Sequence, residues 1–267
     1  MTTIVAPTVT PAVTPAITPT IITSQPVHYP CGDGTPVAET FDHLYVILIT
    51  IEVLRQYLED VQACVLGNQF LYYSQGFPRL KCAPDVMVIF NVEPGSRDSY
   101  KIWDEGEIPS VVFEMTSPGT RDKDEGFKKD LYAQIGIEEY WQFDPKGQWI
   151  EEKLRGYRLV DETYVPIETS ESQALGLRLE VSGALISFYR LDNGEKLLIP
   201  LELRDKAQQL QDELTLEQAK LLLEQTRSQE LETRSQELET RSQELETQLN
   251  RVQAENDRYR NQFGDLP

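Results

Sequence analysis

The fold of this chain is decided by two stretches, Asp85-Val-Met-Val-Ile-Phe90 and Ser110-Val-Val-Phe-Glu-Met-Thr116. Branched and aromatic apolar residues dominate both stretches, and Gly, Pro or Ser residues bound them, which is typical of β-strands. Each stretch also holds one carboxylate, Asp85 at the start of the first and Glu114 inside the second. We therefore predict two strands that carry one acid each.

An amphipathic helix is predicted before these strands, with Asp42 as its N-cap. Apolar residues recur there at steps of three and four, which is the spacing of one helix face. The residues on this face are Leu44, Ile47, Leu48, Ile51, Leu54, Leu58 and Val61.

Further elements complete the predicted domain, which spans residues 36–200. A second helix is expected over residues 121–135, because Gly136 ends the pattern there. Additional strands are expected at about 68–74, 138–143, 148–155, 157–167 and 176–191, with a turn at 144–147. This order predicts an α/β domain with a mixed central sheet and flanking helices.

A Thr- and Pro-rich segment, residues 1–35, precedes the domain. Proline recurs in it at Pro7, Pro11, Pro15 and Pro19. Because proline fixes φ and removes backbone donors, we expect a disordered, extended tail. Such a segment serves as a tether or partner ligand, or is a passive tail.

The C-terminal segment, residues 201–267, has the pattern of one long helix. The heptad Arg-Ser-Gln-Glu-Leu-Glu-Thr occurs three times, and its leucines fall at d positions: Leu231, Leu238 and Leu245. Serine fills the matching a positions, so the pattern is that of a weak coiled coil, with opposite g and e charges beside a parallel seam. We expect a homo-oligomer, a dimer, through residues 205–260. The alternative is a solvated single helix held by local charge pairs.

The charge of the chain limits how it binds other molecules. Residues 31–200 carry 29 acids against 16 bases and residues 201–267 carry 15 against 9, which together give the net charge of −19. Such acidity argues against a protein that coats nucleic acid without specificity, because Lys and Arg contacts to phosphate supply most of that affinity.

The cysteines and the apolar runs indicate the compartment. Three cysteines without a C-x-x-C spacing argue against a disulfide framework, and two histidines argue against a histidine-rich zinc site. The apolar run from Leu44 to Leu54 is broken by Glu52 and is too short to span a bilayer, and a basic signal-peptide region is lacking. We expect a cytoplasmic protein that does not associate with membranes.

The two strand acids form a candidate metal site. If their strands are neighbours, Asp85 and Glu114 converge at one end of the sheet, where a hard cation such as Mg²⁺ takes oxygen ligands. Acids at strand ends are common and usually solvated, so this spacing alone is weak evidence.

Several motifs, taken in order, resemble those of one bacterial family. The motifs are Pro84-Asp85-Val-Met-Val, the run from Pro109 to Asp124, and the run from Lys128 to Pro145. Over about residues 40–200 the chain resembles the Uma group of restriction endonuclease-like proteins, which belongs to the PD-(D/E)XK nuclease superfamily. This resemblance implies the superfamily fold and DNA hydrolysis that depends on Mg²⁺ or Mn²⁺.

The resemblance also implies roles for individual residues. Asp85 matches the motif aspartate and Glu114 the (D/E) position, so both would hold the metal with the backbone carbonyl of Met115. The sequence departs from the superfamily at Thr116, where the motif lysine usually stands. Lys128 occupies the matching place on the following helix, where its ammonium would orient water and stabilise charge on the phosphate.

Four further residues are secondary candidates. Asp124 and Tyr132 share one helix face with Lys128, because each is four residues away from it. His43 and Glu52 lie on the first helix and are expected to approach the site. The alternative is that Asp124 and Lys128 form an ordinary surface pair and that Tyr132 packs in the core.

Two functions from different classes follow. The first is a metal-dependent endonuclease that acts on DNA phosphodiester bonds. The second is a non-catalytic DNA- or protein-binding scaffold that keeps the nuclease fold and acts through its coiled coil, since fold alone does not fix function.

Overall fold

The computed structural model describes residues 27–34, 40–116 and 122–264, and the chain divides into two compact units, Met1–Glu195 and Lys196–Pro267. The helices of the first unit are α1 Phe41–Tyr57, α2 Ile102–Glu105 and α3 Lys128–Ile135, with a π-helical stretch at Lys123–Phe127. Its strands are β1 Ala63–Leu66, β2 Leu71–Tyr72, β3 Lys81–Cys82, β4 Val86–Phe90, β5 Tyr100–Lys101, β6 Val111–Met115, β7 Glu139–Phe143, β8 Leu154–Val160, β9 Thr163–Ile167, β10 Glu171–Ser172, β11 Leu177–Ser182 and β12 Leu185–Arg190.

Six strands form the central sheet, in the order β1-β4-β6-β7-β8-β9. Strands β6 and β7 are parallel, and the other neighbours in this sheet are antiparallel. A parallel pair needs a crossover connection, and α3 lies within the chain that joins β6 to β7. The predicted mixed central sheet with flanking helices is therefore confirmed.

Both faces of this sheet are buried. On one face, Tyr132 of α3 meets Tyr140 of β7 edge to face, with ring centroids 5.2 Å apart, in a cluster that includes Tyr157. The opposite face packs against α1 and β12, where the Phe113 and Phe188 rings lie 6.1 Å apart. Strands covered on both sides appear in the sequence as nearly continuous apolar runs.

Helix α1 differs from its prediction in its cap and in its buried face. Thr40 is the N-cap, so the prediction of Asp42 is wrong, and Asp42 lies in the first turn. On the predicted inner face, Leu44 and Leu48 are 45% and 50% exposed. Residues 46–54 are apolar on nearly every side of the helix, so spacing could not determine which side is buried. The buried residues are Val46, Ile47, Ile49, Thr50, Val53 and Leu54.

Four strand predictions are also wrong in their boundaries. Residues 157–167 hold the end of β8 and all of β9, and residues 176–191 hold β11 and β12, with a turn inside each range. The strand that pairs with β4 is Ala63–Leu66, upstream of the predicted residues 68–74, of which Leu71–Tyr72 forms β2. A strand expected over residues 148–155 is instead a turn region that leads into β8 at Leu154.

The end of the predicted tail packs against the rest of the first unit. Residues 1–26 and 35, which complete that prediction, lie outside the described residues. The Tyr72 hydroxyl donates a hydrogen bond to the Pro30 carbonyl, and the Tyr29 ring centroid lies 5.1 Å from those of Tyr72 and Trp103. These contacts begin upstream of residue 36, where the domain was expected to start.

The second unit is the helix α4, Pro200–Phe263. Glu202 satisfies its N-terminus, because a carboxylate oxygen accepts from the Ile199 N–H at 3.2 Å. The leucines of the three heptads are 62%, 65% and 54% exposed, in the order Leu231, Leu238 and Leu245. In the described residues, no helix combines the length and the apolar character needed to cross a membrane.

Gly156 of β8 is required by the ring of Trp141 on β7. A Cβ at Gly156 would lie 2.5 Å from this ring, whereas a Cβ at Gly32 would meet nothing within 4 Å. Because a buried ring cannot move aside easily, Gly156→Ala should lower the free energy of unfolding by about 1–3 kcal/mol. Urea unfolding followed by tryptophan fluorescence would measure this loss. Gly32→Ala is the control, and equal stability of the two variants would contradict the packing argument.

Candidate active site

Asp85 and Glu114 lie on neighbouring strands at the same end of the sheet. Strands β4 and β6 are antiparallel, with Val86 opposite Phe113. Continued by one residue, this register places Asp85 opposite Glu114. The Met115 N–H donates a hydrogen bond of 2.6 Å to Asp85 Oδ2. This bond fixes the Asp85 carboxylate beside the backbone of the strand that carries Glu114.

The carboxylate of Glu114 is buried and bonded on both oxygens. Its side chain is 1% exposed. Lys128 Nζ donates to Oε2 at 2.8 Å, and the Tyr132 hydroxyl donates to Oε1 at 2.5 Å. Both donors lie one turn apart on α3, so this helix delivers a cation and a phenol to the same strand residue.

Asp124 supplies a second carboxylate to Lys128. It is buried, and its Oδ1 lies 3.0 Å from Lys128 Nζ. The Asp124 carbonyl accepts from the Tyr140 hydroxyl at 3.0 Å and from Gln142 Nε2 at 2.9 Å. Because Asp124 lies in the π-helical stretch before α3, strand β7 holds in place the segment that positions Lys128.

These contacts shift the ionisation of the cluster. Burial, followed by the nearby Asp85 charge, raises the pKa of Glu114 to about 8, against a smaller opposing effect of Lys128. Burial alone would lower the pKa of Lys128, but Glu114 and Asp124 outweigh it and the pKa is raised. Burial and the Glu114 charge raise the pKa of Tyr132 as well. Lys128 is therefore a cation at neutral pH.

The two candidates on α1 differ in their placement. His43 Nε2 lies 3.8 Å from Asp85 Oδ2, so the first turn of α1 reaches the acid pair. The Glu52 side chain is 60% exposed and lies 3.9 Å from Arg55. The structure thus places His43 near Asp85, Glu114 and Lys128. Glu52 instead lies on the exposed surface of α1, beside Arg55 of the same helix.

A cleft of about 90 Å³ opens beside His43. Thr116, Asp144 and Lys146 line it as well. The Thr116 hydroxyl is buried and has no hydrogen-bond partner among the described residues. Thr116, two residues after Glu114, thus faces this cleft.

Tyr140, Gln142 and Cys82 also lie at this cluster, which residue spacing in the sequence did not predict. Gln142 is opposite Glu114 in the parallel β6–β7 register and is completely buried. The Cys82 thiol of β3 donates to the Leu71 carbonyl at 4.0 Å, and burial, followed by the Glu114 charge, raises its pKa to about 12. A polar residue within an apolar strand, such as Gln142 in Glu139–Phe143, was the available indication, but its partners depend on the strand order.

The protein ligands for a metal are few. Among the described residues, no group of three or more His, Cys, Asp or Glu side chains is arranged to hold a metal ion. Asp85 and Glu114 are a pair of oxygen donors with the Met115 peptide adjacent. A cation held by this pair would need backbone, water or substrate oxygens to complete its coordination.

Comparison with known proteins gives one family match. The model of a family named Uma2, described as "Putative restriction endonuclease", matches residues 23–188, more than half of the chain. None of the curated proteins matches. Among solved structures, the chain is similar to one described as a "putative nuclease" from Anabaena variabilis, with 14% sequence identity and a TM-score of 0.37 over 51% of this chain and 72% of that chain.

The raised pKa of Glu114 predicts a specific dependence of stability on pH. Between about pH 4.5 and 8 the folded protein keeps a proton on Glu114 that the unfolded chain releases, so the free energy of unfolding falls as pH rises. Glu114→Gln removes this effect. The stability difference between variant and wild type should shift in favour of the variant by up to about 1.4 kcal/mol per pH unit in this window.

Chemical unfolding in EDTA at several pH values would measure this shift. Glu59→Gln, at an exposed position, is the matched control. A constant difference between Glu114→Gln and wild type from pH 5 to 8 would show that the burial of Glu114 does not raise its pKa.

Proposed function

Because the chain belongs to the Uma2 family, described as "Putative restriction endonuclease", we propose that it is a metal-dependent endonuclease that hydrolyses DNA phosphodiester bonds. The observation that carries this proposal is the bonding of Glu114 to Lys128 and Tyr132 beside the neighbouring acid Asp85. Two carboxylates and a cation in one small site are the groups that metal-assisted phosphodiester hydrolysis uses.

The acid pair fits Mg²⁺ or Mn²⁺. Asp85 and Glu114 repel one another enough to help raise the pKa of Glu114, and a divalent cation would relieve this repulsion. Magnesium typically takes one or two carboxylates and keeps several waters, so Asp85, Glu114 and the Met115 carbonyl suit it. When bound, the cation would polarise the phosphoryl oxygen and lower the pKa of a bound water.

Lys128 is the residue proposed to act on the substrate. Its ammonium donates a hydrogen bond to Glu114 Oε2 and lies 3.0 Å from Asp124 Oδ1, so two carboxylates hold it in place while protons remain for water or phosphate. Asp124 is then a positioning residue, and Tyr132 orients the Glu114 carboxylate. His43 lies next to Asp85, the other acid of the pair.

A non-catalytic scaffold is the second candidate, and one observation favours it. Lys128 contacts both Glu114 and Asp124 without any metal, so the same contacts would serve as a buried polar network that only stabilises the fold. On this reading the protein would bind DNA or another protein and act through α4.

We also propose that α4 joins two chains through residues 205–260. Leu231, Leu238 and Leu245 form a stripe with a spacing of seven residues, and each is more than half exposed. Burying such a stripe against a second copy would remove apolar surface from water. Serine at successive a positions makes the seam thin, so the dimer should be weak and concentration-dependent.

The enzyme proposal predicts opposite effects for two kinds of substitution. Asp85→Asn and Glu114→Gln should lose Mn²⁺ binding and DNA cleavage together, because each removes a charged ligand. Lys128→Ala should reduce cleavage by at least about 100-fold but retain Mn²⁺ binding, since its ammonium acts on water and phosphate. Calorimetry with Mn²⁺ and plasmid nicking with Mg²⁺, Mn²⁺ or EDTA would measure both properties.

Lys129→Ala is the matched control for Lys128→Ala. The neighbouring Lys129 Nζ lies 3.6 Å from the centroid of the Tyr157 ring and should be dispensable for cleavage. Cleavage that persists in EDTA, or wild-type cleavage by Lys128→Ala, would contradict the mechanism. Intact Mn²⁺ binding without any hydrolysis of DNA would favour the scaffold.

The coiled-coil proposal predicts that substitutions change the oligomeric mass of the protein only when they lie on the leucine face of α4. Leu238→Glu places a charge in the seam and should shift the full chain towards monomer, whereas Thr240→Glu should not. Thr240 is at an f position, and its hydroxyl donates to the Gln236 carbonyl of its own helix. Analytical ultracentrifugation over a range of concentrations would detect the shift, and equal effects of the two variants would argue against a heptad seam.

A further inference from the structure

The β2–β3 hairpin, residues 71–82, differs in charge from the rest of the chain. Residues 62–84 contain Arg79 and Lys81 but no Asp or Glu, in a chain with a net charge of −19. The other arginines that the structure describes in the first unit lie within 4.0 Å of acids: Arg55, Arg97, Arg155, Arg158, Arg178 and Arg190. Within the described residues Arg79 is exposed and forms no ion pair.

The tip of this hairpin presents apolar side chains to solvent. Phe77 is 61% exposed and Leu80 is 41% exposed, on either side of Pro78 and Arg79. At the base, Lys81 Nζ lies 3.6 Å from the centroid of the Phe70 ring, which keeps this cation at the hairpin. An aromatic ring and two cations are therefore displayed together.

Contacts with Tyr29 hold the hairpin in one conformation. The Tyr29 hydroxyl accepts a hydrogen bond of 2.6 Å from the Gly76 N–H, and Gly76 has a φ of 86°, a conformation that favours glycine. The Tyr29 ring in turn packs against Tyr72 and Trp103. A loop fixed in this way loses little conformational entropy when its tip binds a partner.

The hairpin also adjoins the acid cluster. Cys82, the last residue of β3, precedes Asp85 by three residues, and the N–H of Asn68, shortly before β2, donates to the Asp85 carbonyl at 3.3 Å. Arg79 precedes Asp85 by six residues, a chain length that spans at most about 20 Å. A nucleic acid strand held at Asp85 and Glu114 thus has the hairpin tip within reach.

We propose that the β2–β3 hairpin binds an unpaired stretch of DNA next to the cleaved bond, with Phe77 stacking on a base and Arg79 contacting phosphate. This inference rests on the proposed function, because it takes DNA as the substrate. An exposed ring suits an unpaired base, whose face is accessible, and single-strand binding proteins combine such rings with positive charge. Bases in a duplex already stack on their neighbours.

The experiment compares how tightly the full chain binds two fluorescent probes, an oligodeoxythymidylate and a blunt duplex, in Ca²⁺. Phe77→Ala should weaken binding of the single strand by about tenfold or more and change binding of the duplex little, and Phe77→Trp should restore it. Arg79→Ala should lower the salt dependence of single-strand binding by about 0.7 in the slope of log affinity against log salt.

Two exposed residues outside the hairpin are the controls. Phe41 is 76% exposed on α1, and Arg241 lies on α4 with its side chain 73% exposed. Phe41→Ala and Arg241→Ala should bind the single strand as wild type does. Circular dichroism of each variant would show that its fold is intact.

The outcomes separate this inference from the proposed function. Loss of single-strand binding in Phe77→Ala and Arg79→Ala supports the hairpin contact even if no variant cleaves DNA, in which case the proposed function fails alone. Wild-type binding by both variants overturns the hairpin contact even if the wild type cleaves DNA. Equal weakening for duplex and single strand, or Phe77-dependent binding to anionic lipid vesicles instead of DNA, also overturns it.

Discussion

Burial of the Glu114 carboxylate is the constraint on which the rest of this site depends. A charged carboxylate in a dry interior costs several kcal/mol unless it is paired and hydrogen-bonded, and the raised pKa of Glu114 reflects the part of this cost that its partners do not offset. Lys128 and Tyr132 provide both interactions, and they do so only because α3 starts in the right register over β6. That start is set in turn by Asp124, whose backbone is bonded to Tyr140 and Gln142 of β7. The parallel β6–β7 pair and its crossover helix therefore form one unit with the acid.

How much of this could be predicted from sequence depends on whether the information is local. The runs at β4 and β6 are apolar enough to identify the strands, and four-residue spacing places Asp124, Lys128 and Tyr132 on one helix face. The role of Gln142 depends instead on the β6–β7 register, which spacing within a strand does not contain. The same holds for α1, where packing against the sheet selected the face around Val53 and left Leu44 exposed.

The charge of the chain is unevenly distributed, and this local distribution matters more for binding than the net charge does. Acids that pair with arginines, such as Glu139 with Arg158 and Glu105 with Arg97, are neutralised locally and add little long-range repulsion. What a polyanion meets is the local distribution of charge, and residues 62–84 carry only positive charge. High acidity over the whole chain thus argues against broad coating of nucleic acid, whereas the segment just before Asp85 carries no negative charge.

If the proposals on hydrolysis and dimerisation both hold, the second unit serves the first by bringing two copies of it to one DNA molecule. One acid pair can serve one strand at a time, so cutting both strands of a duplex requires either two visits or two copies of the first unit. A seam along α4 would supply the second copy at high effective concentration without any contact between the catalytic units. The a positions Ser228, Ser235 and Ser242 are polar and bury little apolar surface, so the seam would be weak. It would therefore form mainly at high protein concentration or on a shared substrate. Paired cutting would then rise more steeply with the local concentration of enzyme than single nicking does.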